Sequence, residues 1–178
     1  MASAFGHALA AFALSKAFNT PSSKMKFVGI GIICSIIPDA DVIGFANNIP
    51  YESFWGHRGF THSLVFAILL GITLSFLFYG KADRRSRFIV GLYFMLCAAS
   101  HGILDAMTSG GLGVGFFLPF TETRYFFPWR PIQVSPIGID SFLGEWGLRV
   151  LRSEFIWIGI PSLLWMGLVS YVKKLKSK

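Results

Sequence analysis

Charged residues are scarce in this chain. Lys, Arg, Asp and Glu make up 14% of its 178 residues, whereas an average soluble domain carries about 25%. Acidic residues are the rarer kind, with nine against 16 basic ones, and the formal net charge is +7. Hydrophobic residues reach 53%, 19 residues are Phe, and the mean hydropathy is +0.59. This composition excludes a disordered chain, disfavours a soluble globule and indicates a membrane protein.

Cysteine is nearly absent as well. The two cysteines, Cys34 and Cys97, each lie inside an apolar run, which is typical of buried small hydrophobic residues rather than of a disulfide framework. The sequence also lacks the H-E-x-x-H motif of many metalloproteases and the G-x-S-x-G motif of serine hydrolases. These absences argue against both of those enzyme classes.

Apolar runs are the main feature that is present. Five of them are candidate membrane helices, namely residues 2–18, 27–37, 64–79, 88–107 and 155–172. Several approach the length of about 17 residues that a helix needs to cross a bilayer. The first run has no basic start, so we interpret it as a retained helix rather than a signal peptide. Run 27–37 is short, and its sequence leaves open whether it crosses or re-enters. We predict an all-α polytopic membrane protein with four or five membrane helices.

The basic residues predict the orientation of these helices. Three clusters follow alternate apolar runs: Lys16, Lys24 and Lys26; Lys81, Arg84, Arg85 and Arg87; and Lys173, Lys174, Lys176 and Lys178. The positive-inside rule places all three clusters, and with them the C-terminus, in the cytoplasm. Because membrane topology accounts for the positive charge, we expect membrane lipids as partners and no nucleic acid.

This topology brings the groups that can carry chemistry to one face of the membrane. The non-cytoplasmic face receives all four histidines and three acids: His7, Asp39, Asp41, His57, His62, His101 and Asp105. His101 and Asp105 are four residues apart, so they share one face of a helix. Imidazoles and carboxylates without a thiolate suit zinc, manganese or iron. We therefore predict a site for one or two divalent ions, with Zn²⁺ as the first choice and Mn²⁺ as the second.

Two other roles for the same residues stay open at this stage. Ionisable groups at membrane depth also form proton relays in transporters. A metal bound by the same side chains can instead hold helix ends together without any catalysis. The sequence shows no clear internal repeat, which disfavours a transporter.

The long segment 108–154 is the expected outer loop and interfacial segment of a single domain spanning residues 1–178. It contains Arg124 and Arg130 among aromatic residues, a mixture typical of a membrane interface. Because arginine binds phosphate through two hydrogen bonds, both residues are candidates for binding a phosphorylated, lipid-like substrate. The alternative is an aromatic belt that only anchors the loop.

Four ordered motifs carry a resemblance to a known family. They are Gly6-His7, Pro38-Asp39-Ala40-Asp41, the stretch His57-Arg58-Gly59-Phe60-Thr61-His62-Ser63, and Ser100-His101-Gly102-Ile103-Leu104-Asp105. As an ordered set they resemble the YdjM-like family of bacterial inner-membrane proteins, which implies an inner-membrane location and metal-dependent hydrolysis. A more distant similarity to zinc-dependent phospholipase C implies His7, Asp39, one of His57 or His62, His101 and Asp105 as ligands. Those enzymes have two further histidines, and this chain has none after His101.

The resulting hypothesis is a membrane-bound hydrolase whose metal-activated water attacks a phosphoester or ester of a lipid-like substrate at the outer face. Asp41 is expected to orient a histidine or to act as a base. Arg58 is expected to orient a carboxylate or to bind the negative charge of the substrate. His7 and His57 would complete the first metal site or form a second. The sequence specifies neither the substrate nor an oligomeric state.

Overall fold

The computed structural model describes residues 1–19 and 23–177, so Lys178 of the C-terminal basic cluster lies outside the described residues. The helices are α1 (Ala4–Ser15), α2 (Lys24–Ile36), α3 (Ile43–Ala46), α4 (Leu64–Tyr79), α5 (Arg84–Ala106), α6 (Ile139–Phe142), α7 (Glu145–Glu154) and α8 (Ile160–Lys176). Within the described ranges the backbone forms no β-strand, only two isolated bridges. The all-α prediction is confirmed.

Among the residues that the structure describes, three helical stretches are long and apolar enough to cross a membrane: Lys24–Ala46, Arg84–Ala106 and Glu145–Lys176. Helices α1 and α4 are apolar but shorter, so the predicted number of apolar helices agrees with the structure. Run 27–37 belongs to the first stretch, in which a 3-10 turn, Ile37–Val42, joins α2 to α3. Helix α7 continues through a π-helical turn, Phe155–Gly159, into α8, so it shares one long helix with the last apolar run.

Helix α5 is the central element and contacts α1, α2 and α4. On its buried face Tyr93 stacks on Phe27 of α2, with ring centroids 4.1 Å apart, and its hydroxyl donates to the Ala11 carbonyl of α1 at 3.0 Å. Against α4 the backbones meet closely, because a Cβ atom on Gly71 would lie 2.7 Å from the Gly91 carbonyl oxygen. Small residues at such a crossing let membrane helices pack backbone to backbone.

Two local signals place polar side chains beside the C-terminal end of α5. Pro38 has no backbone N–H to donate to the carbonyl four residues back, so α2 ends at Ile36 and the chain continues as a 3-10 turn with Pro38 in its first positions. The Ser63 hydroxyl accepts a hydrogen bond from Phe66 N at 3.0 Å and caps the start of α4. Residues 108–138 then fold over this end, where Phe127 N donates to the Ala106 carbonyl.

Candidate metal centre

Four buried side chains from three different elements meet at the C-terminal end of α5. Asp39 comes from the 3-10 turn, His62 from a short 3-10 helix before α4, and His101 and Asp105 from successive turns of α5. His101 and Asp105 are fully buried, and His62 and Asp39 are 3% and 9% exposed. One ligand atom from each residue lies within 4.8 Å of the others. The structure thus joins His62, rather than His57, to the α5 pair.

The distances between these atoms fit a shared ion. His62 Nε2 lies 3.0 Å from His101 Nε2 and 3.6 Å from Asp105 Oδ2. Asp39 Oδ1 lies 3.3 Å from His101 Nε2 and 3.7 Å from His62 Nε2. Ligand atoms about 2.1 Å from one ion stand about 3.0 Å apart at octahedral angles and about 3.4 Å apart at tetrahedral angles. The four side chains therefore already have approximately the spacing that a coordinated ion requires.

Hydrogen bonds outside the cluster orient both imidazoles. His101 Nδ1 lies 2.7 Å from the Ser35 carbonyl oxygen, so Nδ1 carries the proton because a carbonyl can only accept. This leaves the lone pair of Nε2 facing the cluster. His62 Nδ1 lies 3.2 Å from Asp41 Oδ2, which directs its Nε2 inward in the same way. Ligating histidines are generally held by a carbonyl or carboxylate on their second nitrogen.

The centre of the cluster attracts positive charge. Among the described residues, buried Asp39 Oδ1 and Asp105 Oδ2 have no aligned hydrogen-bond donor. Burial lowers the pKa of His62, but contacts with Asp105, Asp39 and Asp41 outweigh this effect and raise the pKa to about 10. The carboxylates thus favour either a proton on His62 or a cation in its place. This donor set, two imidazoles and two carboxylates, suits a divalent ion of the Zn²⁺ or Mn²⁺ type.

Asp41 organises the loop that carries His62. Its carboxylate accepts from Thr61 Oγ1 at 2.7 Å and from Arg58 N at 3.1 Å, and it also contacts His57 Nδ1 at 2.6 Å. Asp41, His57 and His62 form a second group of possible ligands. His57 therefore lies beside the main cluster, on the far side of Asp41.

Arg58 faces Asp105 from inside the protein. The side chain is fully buried, and its backbone is left-handed with φ 63°. Nε makes an ion pair at 3.0 Å with Asp105 Oδ2. The two terminal nitrogens donate to the Gly110 carbonyl at 2.8 Å and to Thr108 Oγ1 at 2.9 Å. The guanidinium thus faces the candidate ligand Asp105, and its contacts with Thr108 and Gly110, which follow α5, keep it in this position.

His7 lies on the other side of the same carboxylate. Its ring is fully buried and stacks on His101, with ring centroids 3.7 Å apart. His7 Nε2 stands 3.5 Å from Asp105 Oδ1, which also accepts from Ala2 N at 2.7 Å. Neither ring nitrogen of His7 has a hydrogen-bond partner among the described residues. The structure thus places His7 against Asp105 but outside the group of four.

The two arginines of the long segment occupy different environments. Arg124 donates to the carbonyls of His57, Tyr51 and Ser53 at 2.8, 3.0 and 3.1 Å. It therefore braces the loop that carries His57 and His62. Arg130 is exposed, with its guanidinium 4.5 Å from the centre of the Phe126 ring.

Sequence reasoning missed three groups that support the site. The Ser35 carbonyl, which orients His101, has no signature in the sequence because every residue offers a carbonyl. Thr108 was only the first residue of the expected outer segment 108–154, but it is fully buried and accepts a hydrogen bond from Arg58. Glu154 is 4% exposed and accepts from Ser3 N and Oγ, joining the end of α7 to the start of α1. An acidic residue directly before the apolar run 155–172 was the available sign that Glu154 has a buried partner.

Comparison with known proteins gives the family. Residues 1–176 match the model of the family described as YdjM inner membrane protein. The chain belongs to this family. It is similar to Inner membrane protein YbcI of Escherichia coli (strain K12), with 39% identity over 140 residues that cover 78% of this chain and 80% of that protein. No solved structure matches the chain. YdjM membership confirms the resemblance carried by the motifs and supports a bacterial inner-membrane location.

Proposed function

We propose that this YdjM-family protein is a membrane-bound, metal-dependent hydrolase that cleaves a phosphoester or ester bond of a lipid-like substrate at the outer face of the inner membrane. The observation that carries the proposal is the buried group of Asp39, His62, His101 and Asp105, whose ligand atoms lie within 4.8 Å of one another. A bound Zn²⁺ or Mn²⁺ supplies Lewis acidity and lowers the pKa of a coordinated water towards neutrality.

The chain's own residues divide into ligands and residues that position them. Asp39 Oδ1, His62 Nε2, His101 Nε2 and Asp105 Oδ2 are the ligand atoms that we assign. Asp41 and the Ser35 carbonyl keep the two imidazoles turned inward. Arg58 fixes Asp105, so we assign it a positioning role.

The remaining candidates surround this centre. His7 faces the second oxygen of Asp105 and is our candidate ligand for a second ion. His57, which contacts Asp41, is placed to accept or deliver a proton beside the centre. Arg124 acts through the loop that it braces, and exposed Arg130 is the arginine available to a substrate phosphate.

The surface next to the cluster supports an apolar substrate. Asp39 is the ligand that reaches this surface, with 10% of its side chain exposed. It borders a depression of about 410 Å³ that is otherwise lined by Ile33, Ile36, Ile37 and Ala40. These apolar side chains beside Asp39 favour a substrate with apolar surface, such as a lipid.

A structural metal is the second candidate, and one observation favours it. Four buried protein ligands are enough to complete a tetrahedral site, whereas a catalytic site keeps a position open for water. In that case the ion would only join the turn after α2, the loop before α4 and the end of α5.

Metal content is the first test of the proposal. The protein is purified in an uncharged detergent without chelators and analysed by plasma mass spectrometry beside His101→Gln and Asp105→Asn. Exposed Asp140→Asn is the matched control. We expect stoichiometric Zn²⁺ or Mn²⁺ in the wild type and the control and its loss from both ligand variants. Wild-type protein that stays metal-free after reloading would refute the site, and transport would become the next assay.

Catalysis is tested on metal-loaded protein with phospholipids and lipid phosphates in mixed micelles, and the products are followed by mass spectrometry. Cleavage by the wild type and Asp140→Asn, but not by Asp105→Asn, is the expected result. Stoichiometric metal with no cleavage, and no enhanced water-proton relaxation in the Mn²⁺-loaded protein, would assign a structural metal instead.

A further inference from the structure

An apolar groove runs beside the contact between α4 and α5. Its volume is about 400 Å³, and its walls include Ile72 and Phe76 of α4 and Leu92 and Met95 of α5. Arg84 and Arg87 also line it, at the N-terminal end of α5. His101 and Asp105 belong to the opposite end of this 23-residue helix. The groove is therefore separate from the metal centre.

The arginine end of the groove carries positive charge that can attract an anion. Arg87 donates to the Gly80 carbonyl at 2.9 Å, and its guanidinium lies 4.6 Å from the centre of the Phe76 ring, so its position is fixed. Among the lining residues, all of which are described, none is acidic. The neighbouring Asp83 carboxylate is engaged in capping α5, where it accepts from Ser86 N at 3.0 Å.

The length of the groove matches one leaflet of a bilayer. From Arg84 to Met95 the helix rises by about 16 Å. Half of a hydrocarbon core about 30 Å thick is a similar distance. A molecule with an anionic group at the arginines and an apolar chain along the helices would match both the charge and the length of the groove.

We propose that this groove binds one anionic phospholipid, with its phosphate at Arg84 and Arg87 and an acyl chain along Ile72, Phe76, Leu92 and Met95. Basic pockets between membrane helices are known sites for anionic headgroups. The inference does not depend on hydrolysis, because the lipid is a bound partner at the far end of α5 and is not the substrate.

The test is a lipid titration followed by native mass spectrometry of the full chain in an uncharged detergent. Phosphatidylglycerol and phosphatidylcholine with identical acyl chains are compared. Two arginines near a headgroup predict that phosphatidylglycerol binds the wild type about thirtyfold more tightly than phosphatidylcholine. Arg84→Gln/Arg87→Gln should reduce this preference to about twofold or less, because it removes the headgroup contacts.

Two further variants separate this site from general surface charge. Lys174→Gln/Lys176→Gln removes the same charge from exposed positions near the end of α8 and should keep the full preference. Ile72→Trp fills the groove from a half-exposed position without changing charge and should weaken phosphatidylglycerol binding. Melting curves establish that each variant is folded. Equal binding of both lipids by the wild type, or an unchanged preference in the double arginine variant, would overturn the proposal.

Discussion

The two halves of α5 bury the same face of one helix with opposite chemistry. In the first half Val90, Tyr93 and Phe94 pack against aromatic and aliphatic side chains of α2 and its neighbours. In the last two turns His101 and Asp105 are just as buried, but they face carboxylates, imidazoles and a guanidinium. The apolar half is held by close packing. The polar half gathers buried carboxylates, and two of their oxygens, Asp39 Oδ1 and Asp105 Oδ2, have no aligned hydrogen-bond donor among the described residues and so favour a nearby positive charge.

This contrast predicts that damage to the two halves has different consequences. Changes in the polar half should alter both metal binding and stability. Changes in the apolar half should alter stability alone.

Removing Arg58 should have the largest effect. Arg58→Gln leaves the Asp105 carboxylate buried without its guanidinium, and breaking a buried ion pair costs about 3–5 kcal/mol. The free energy of unfolding is measured in mixed detergent micelles. Arg130→Gln, at an exposed position, is the control and should change it by less than about 0.5 kcal/mol. Equal effects of the two substitutions would contradict the assigned role of Arg58.

Bound metal should raise the free energy of unfolding of the wild type by somewhat less than the loss expected for Arg58→Gln. A ligand that binds only the folded state adds about 2.7 kcal/mol at a hundredfold excess over its Kd. The shift is read from the melting temperature after chelation and after readdition of Zn²⁺ or Mn²⁺. His101→Gln should show little or no shift. If metal raises the melting temperature of His101→Gln as much as that of the wild type, the ion binds elsewhere.

Substitution of Asp41 should weaken the site without abolishing it. Asp41→Asn keeps the size of the side chain but removes the charge opposite His62 Nδ1. Loss of such an orienting carboxylate typically lowers metal affinity by about 10–100-fold. Competition with a fluorescent chelator gives the affinity. A variant that binds metal as tightly as the wild type would show that Asp41 does not orient His62.

The smallest effect is expected in the apolar half. Gly71→Ala crowds the Gly91 carbonyl of α5, and such overpacking costs about 1–3 kcal/mol. Because alanine favours a helix over glycine by about 1 kcal/mol, the net loss should be near 1 kcal/mol. Metal content, measured on the same preparation, should be unchanged. A loss of metal from Gly71→Ala would show that the two halves of α5 are coupled.

Local patterns predicted much of this arrangement. The i,i+4 spacing correctly placed His101 and Asp105 on one face of α5. The choice between His57 and His62 was beyond local reasoning. It depends on the loop before α4, which Arg124 braces from 67 to 73 positions further along the chain.

The role of Arg58 was hidden for a similar reason. The sequence offered it as a group for a carboxylate or for substrate charge, and both choices were compatible with an arginine between a histidine and a glycine. Its guanidinium is held by Thr108 and Gly110, which lie 50 and 52 positions further along the chain and which the segment after α5 brings back over the end of that helix.

The turn after α2 has a consequence for how the protein tolerates change. Asp39 contacts Nε2 of the His62 imidazole and Asp41 contacts its Nδ1, so two residues of the turn fix the orientation of this ring. A half rotation of that ring would present carbon atoms to both carboxylates. Ala40, between them, is exposed. A larger side chain at position 40 would therefore leave both carboxylate contacts to His62 in place, whereas an inserted or deleted residue there would remove at least one of them.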